Sequence, residues 1–245
     1  MDINPGPASI YLLAGGQGSL RTKRDPLLTR VLASSGVPHP SIAYVGAASG
    51  DSQPFFSMLS RYMRGCGAGH VTLAPLAGKR GKLDKARAIL ESADMVFISG
   101  GDVEVGMEML EERQILPFLR QLLERGKPFF GSSAGSIMLG WQWVRWKDPD
   151  DDATASLFSC MGLVPIVCDT HGEAEGWEEL RALLRLTQED TIGYGIPTGG
   201  GLCVYPDGTV EALGVPVHRY AKSGGAVERS ADLPPMALQK ALGSS

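Results

Sequence analysis

The sequence predicts an α/β protein: a three-layer arrangement in which a mostly parallel sheet carries helices on both faces, with a β-hairpin toward the C-terminus. Three observations carry this. Short apolar runs alternate with stretches of helical spacing. The runs are apolar throughout, as strands covered on both faces are. They also end in glycine, at Gly15-Gly16, Gly46, Gly100-Gly101 and Gly131. In such sheets ligands bind beyond the carboxyl ends of the strands.

The elements follow in order. Ser9 to Ala14 is a short apolar run and reads as a buried strand. Ile42 to Val45 is a second strand. A helix over about Pro54–Arg64 places Phe55, Met58, Leu59 and Met63 on one face. Val71 to Leu73 is a third strand, and Lys82 to Leu90 is helical in spacing. Asp94 to Ile98 is a fourth strand, broken by Gly100-Gly101. Gly106 to Glu124 reads as one long helix, kinked or restarted at Pro117 and capped by Gly126. Lys127 to Phe130 is a fifth strand. Trp141 to Asp152, with Trp143, Trp146 and a run of aspartates, reads as a loop. Leu163 to Val167 is a strand, Glu173 to Leu186 a helix and Thr191 to Ile196 a strand. Pro206-Asp207-Gly208 turns a hairpin between Gly201–Tyr205 and Thr209–Leu213. Val215 to Tyr220 adds one more strand. The tail from Ser223 is polar and rich in Gly and Pro, and is expected to be loosely held. Residues 1–245 read as a single domain.

The composition narrows the function. A net charge of −4 with no long basic run speaks against nucleic acid as the main partner. No apolar stretch is long enough to span a bilayer. The N-terminus lacks the basic and apolar regions of a secretory signal. Cys66, Cys160, Cys168 and Cys203 form no C-x-x-C pair, which suggests reduced, buried thiols in a cytoplasmic chain and no zinc site.

The chemistry centres on Gly131-Ser132-Ser133-Ala134-Gly135, a G-x-S-x-G pattern between an apolar run and a helix start. There the serine sits on a tight strand-to-helix turn, exposed and facing free N–H groups. Ser133 is the candidate nucleophile. It needs a base and an acid that orients the base. His171 follows a strand expected in the same sheet and is the best of four histidines. The acid remains open among Asp148, Asp150, Asp151, Asp152 and Asp169. The aspartate run lacks the alternating spacing of a calcium loop. The N–H of Ala134 and the glycines of Gly100-Gly101-Asp102 can receive an oxyanion.

Taken together, Ser99-Gly100-Gly101-Asp102, Gly131-Ser132-Ser133-Ala134-Gly135 and Asp169-Thr170-His171 resemble the peptidase E and cyanophycinase family of serine peptidases. The resemblance covers most of the chain. It implies a flavodoxin-like sheet related to class I glutamine amidotransferases. It also implies Ser133 as nucleophile, His171 as base, and Gly101 and Ala134 as oxyanion donors. The third member becomes Asp148, at the peptidase E offset of 15 from the serine, with Asp150 and Asp151 as alternatives. Asp102 and Arg181 are the candidate substrate-binding residues. The expected activity is hydrolysis of dipeptides or short peptides through an acyl-enzyme, with aspartyl dipeptidase specificity as one form of it. Neither a cofactor nor a metal is required, and the expected partner is a small peptide substrate, with no nucleic acid and no membrane.

The segment after His171 departs from the aspartyl dipeptidase pattern. It is short and acidic, with Glu173, Glu175, Glu178 and Glu179. That favours a basic substrate such as a β-aspartyl-arginine unit. An esterase and a non-catalytic binding protein of amidotransferase-like fold are the competing readings.

Overall fold

Ile10–Leu13 forms strand β1, the strand next to the elbow strand in space. The protein is described here by a computed structural model over residues 6–15, 24–77, 82–148 and 150–235. Gly16 and the end of the tail, both part of the sequence reading, lie outside the described residues. After β1 come α1 (Pro26–Ala33), β2 (Ile42–Val45), α2 (Gln53–Gly65), β3 (Val71–Ala74), α3 (Leu83–Ser92) and β4 (Met95–Ile98). Then follow α4 (Val103–Glu112), α5 (Leu116–Glu124), β5 (Phe129–Ser132) and the short helix α6 (Ala134–Leu139). β1, β5, β4, β2 and β3 are mutually parallel neighbours, as the apolar runs predict.

Alternate residues of these strands feed two cores, one on each face of the sheet. Leu12, Val45, Ile98 and Phe129 lie in one core, and Leu13, Tyr44, Phe97 and Phe130 in the other. This is why β2 and β4 are apolar at every position. In the second core Phe97 stacks at 4.8 Å from Phe130 and 5.4 Å from Tyr44, and Tyr44 meets Phe56 of α2 edge-on at 5.1 Å.

The remainder of the chain builds β6 (Gln142–Trp146), β7 (Ala155–Ser159), β8 (Val167–Thr170), α7 (Glu178–Leu186), β9 (Ile192–Ile196), β10 (Gly201–Val204) and β11 (Val210–Leu213). It ends with β12 (Val217–Ser223) and β13 (Ala226–Leu233). The hairpin β10–β11 completes the central sheet by pairing antiparallel with β1. The central order is β11-β10-β1-β5-β4-β2-β3.

The long helical segment restarts at Pro117, one of the two forms expected there: Gln114 takes a left-handed φ of 53° and Pro117 sits in the first turn of α5. Several other expectations need correction. Residues 142–146 are a strand rather than a loop, paired with β7 in a two-stranded ribbon. α7 begins only at Glu178, after a turn that ends with Trp177 at φ 61°. The chain past Ser223 is a strand, β13, hydrogen-bonded along β12. β8 starts at Val167 and lies in a second sheet, of order β13-β12-β9-β8. It was expected in the sheet that carries Ser133.

Candidate active site

The elbow is built by close backbone approach. Strand β5 ends at Ser132, and Ser133 turns the chain into α6 at φ 54°, ψ −129°. Such a conformation costs a non-glycine residue about 1–3 kcal/mol, so it persists only where the surroundings fix it. Ser133 N–H donates to the Leu13 carbonyl at 3.0 Å, and the Ser133 carbonyl accepts from Ser136 N–H at 2.8 Å. Ser136 Oγ–H, fully buried, donates to the same Leu13 carbonyl at 2.8 Å. The two glycines of the motif are steric requirements. A Cβ on Gly131 would stand 2.6 Å from the Gly135 carbonyl carbon, and one on Gly135 would stand 2.1 Å from the Ile98 oxygen.

His171 reaches this elbow from the second sheet. It follows β8 at φ 47°, and its N–H donates to the Ile196 carbonyl at 2.9 Å. β8 lies against α6: Cys168 Sγ is 3.7 Å from the Ser136 carbonyl, and Met161 N–H donates to the Met138 carbonyl at 2.9 Å. The next turn is braced by Trp177, whose N–H donates to the Gly172 carbonyl at 2.9 Å. Its indole is packed so closely on Gly195 and Gly172 that a Cβ at either would stand 3.0 Å or less from the ring. The result is that Ser133 Oγ and His171 Nε2 lie 2.8 Å apart.

The glycines beside Ser133 are equally constrained. A Cβ on Gly100 would lie 3.2 Å from Ser133 Cβ. Gly101 takes φ 145°, and a Cβ there would be 2.0 Å from the Ala48 oxygen. The Gly101 N–H has no backbone acceptor among the described residues. The Ala134 N–H opens α6, where no intrahelical acceptor exists.

The candidate carboxylates lie in several places. Asp148 lies in the turn that closes the β6–β7 ribbon, where its Oδ1 accepts from Asp150 N–H at 3.1 Å. Asp151 caps the next turn, accepting from Ala153 N–H at 2.9 Å. Among the described residues none of Asp148, Asp150 and Asp151 is hydrogen-bonded to His171, whose side chain meets Ser133. Among the described residues no carboxylate pairs with His171 at ion-pair distance.

Asp169, two residues before His171, is buried and accepts from Thr170 N–H at 2.7 Å. Its pKa is pushed up to about 7, first by desolvation and then by the charges of Glu179 and Glu175. The Glu179 pKa is raised by partial desolvation and by Glu175 and Glu178, and drawn back down by the His171 charge.

Asp102 and Arg181 were expected to bind substrate. Instead Asp102 caps α4, accepting from Val105 N–H at 3.0 Å, and Arg181 lies exposed on α7. Neither lines the cleft, nor do the four glutamates after Gly172.

The cleft itself holds about 620 Å³ and opens beside Ser133, His171 and Gly100. Its walls are Leu27 and Leu28 of α1 and Phe55, Met58, Leu59, Tyr62 and Met63 of α2. The sequence placed Phe55, Met58, Leu59 and Met63 on one face of α2 without assigning that face, and α1 was passed over altogether. The signal for α1 was present: Asp25 before Pro26, then Leu27, Leu28, Val31 and Leu32 at helical spacing. In the structure Asp25 caps α1 through Oδ1, accepting from Leu27 N–H at 2.8 Å, while its Oδ2 accepts from Tyr62 Oη–H at 2.7 Å. Among the described residues no three His, Cys, Asp or Glu side chains converge as a metal site.

The comparison with known families now bears on this geometry. The model of peptidase family S51 matches residues 10–211, which include both Ser133 and His171.

The chain belongs to peptidase family S51.

Among characterised members, it is 29% identical over 131 residues to peptidase E of Haemophilus influenzae, covering 50% of this chain and 59% of that protein. It is 26% identical over 129 residues to peptidase E of Pasteurella multocida, covering 49% and 55%. The matches thus span less than two thirds of these family members. In fold it resembles a peptidase from an acI-B1 Actinobacterium, with TM-score 0.69 and 15% identity over 94% of this chain and 97% of that one. A putative peptidase E from Listeria monocytogenes gives TM-score 0.64 and 14% identity, over 85% and 99% of the two chains. These likenesses fit the mostly parallel central sheet and the covering helices.

Proposed function

We propose that the protein is a serine-type peptidase that hydrolyses dipeptides or short peptides through an acyl-enzyme on Ser133. The observation that carries this is the 2.8 Å contact between Ser133 Oγ and His171 Nε2, made across two sheets at a strained elbow. His171 Nε2 takes the hydroxyl proton as Oγ attacks the scissile carbonyl carbon. The carbonyl oxygen becomes an oxyanion, received by the N–H groups of Gly101 and Ala134. Collapse breaks the C–N bond, and His171 returns the proton to the leaving amine. Water, deprotonated by the same imidazole, then attacks the ester and releases Ser133. The ring is oriented from the backbone, by the His171 N–H bond to Ile196 and the Trp177 wedge. Glu179 is the charge we place toward the imidazole, in a positioning role. The four free cysteines, all buried, support a cytoplasmic setting.

Labelling with a fluorophosphonate tests the reading. Ser133 is expected to carry the label, and Ser133→Ala to lose both label and peptide hydrolysis. A folded, unlabelled protein would leave the non-catalytic binding reading in place. A panel of esters beside dipeptides separates peptidase from esterase.

A further inference from the structure

The α2 stripe has the spacing of a core-facing helix, yet part of it faces a cleft. Met58, Leu59 and Tyr62 lie three, four and seven positions after Phe55, and Met58 is 42% exposed. Leu27 faces them from α1. The wall runs without a break to Ser133 and His171, which line the same cleft. Its carboxylate, Asp25, already accepts from Leu27 N–H, Leu28 N–H and Tyr62 Oη–H. Among the described lining residues there is no Lys or Arg. A substrate carboxylate set against these described residues would lose its water and meet no cation among them, which is costly. An apolar side chain would displace water from apolar walls, which is favourable.

Resting on the peptidase reading above, we propose that this wall is a side-chain subsite. Its occupant is a bulky aliphatic or aromatic side chain flanking the scissile amide. The preferred substrates are therefore short peptides with Leu, Phe or Met next to the cleaved bond, rather than acidic or basic ones. A methylene fitted into such a pocket is worth roughly 10–200-fold in selectivity.

The test uses the full chain and matched dipeptides carrying Leu, Phe, Asp or Arg on either side of the bond, read as kcat/KM. Leu or Phe peptides are expected to exceed Asp and Arg peptides by about 10-fold or more. Met58→Lys puts a cation on the exposed rim of the wall without touching the core. It is expected to lower kcat/KM for the Leu peptide about 10-fold and to raise it for the Asp peptide. Better cleavage of Asp or Arg peptides by the native chain would overturn the proposal. So would a Met58→Lys variant that keeps native selectivity but changes oligomeric state, since a second copy of the chain would then cover the wall. Fluorophosphonate labelling keeps the two ideas apart. A labelled Ser133 with no apolar preference sinks the subsite alone, whereas a folded, unlabelled chain sinks the peptidase reading beneath it.

Discussion

The two halves of the proposed catalytic pair are held by different means. Ser133 sits at the centre of the main sheet, where main-chain atoms pack to the limit of contact and Gly131 and Gly135 leave no room for a methyl group. His171 sits in an exposed turn of the smaller sheet, fixed by one backbone bond to Ile196 and by the Trp177 indole beneath Gly172. The elbow is fixed by steric exclusion, and the base by side-chain packing that tolerates adjustment. Substitutions should therefore be far more damaging on the first side than on the second.

The largest expected effect is at the elbow. A Cβ at Gly135 lies inside the contact distance of the Ile98 oxygen, so Gly135→Val should cost more than about 5 kcal/mol and leave little folded protein. Gly172→Ala, on the base side, meets its neighbours at 3.0 Å and should cost about 1 kcal/mol. Urea midpoints measure both, and equal losses would erase the contrast.

An intermediate effect concerns pH. Asp169 holds its proton up to about pH 7 in the fold, against a value of 3.8 when unburied. A raised pKa means that the folded state binds the proton more tightly. The stabilising contribution is full below the unfolded value and is lost as pH rises through about 7. Asp169→Asn should flatten the loss, which amounts to ~4 kcal/mol at most. Melting temperatures of the two proteins at pH 5 and pH 8 decide it, and parallel curves would remove Asp169 as the source.

The smallest effect sharpens the assignment of the acid. Asp148→Asn alters only a turn of the β6–β7 ribbon and should change kcat/KM by less than about 2-fold. Glu179→Gln should lower kcat about 10-fold and shift the acid limb of the pH–rate profile. A loss on the order of 10⁴ in Asp148→Asn, the size expected when an orienting acid is removed, would restore that residue to the triad.

What the sequence revealed follows the same division. Strands β1, β2, β4 and β5 were legible because each carries a short apolar run that leads to glycine. The elbow was legible because its steric demands select Gly and Ser at fixed spacing. The assignment of β8 to a second sheet was not, since no local pattern records which strands pair. β13 was missed because Glu228, Arg229 and Ser230 face water on an edge strand and carry no apolar signal. The ribbon was masked by the aspartates of its own turn. The cleft wall was legible only as one face of a helix, because a helix stripe has the same period whether it faces packed side chains or a substrate. The orienting carboxylate was drawn from offset along the chain, and an offset does not record distance in space.

The seam between β8 and α6 bears on how the protein would inactivate. Among the described residues only an isolated bridge, Ala212 to Pro235, links the two sheets, so the Ser133–His171 distance is a gauge of how firmly one rests on the other. On warming, loosening at this seam is expected to part the proposed nucleophile and base while the ladders of the larger sheet still stand. Peptide hydrolysis is then expected to fade before circular dichroism registers melting.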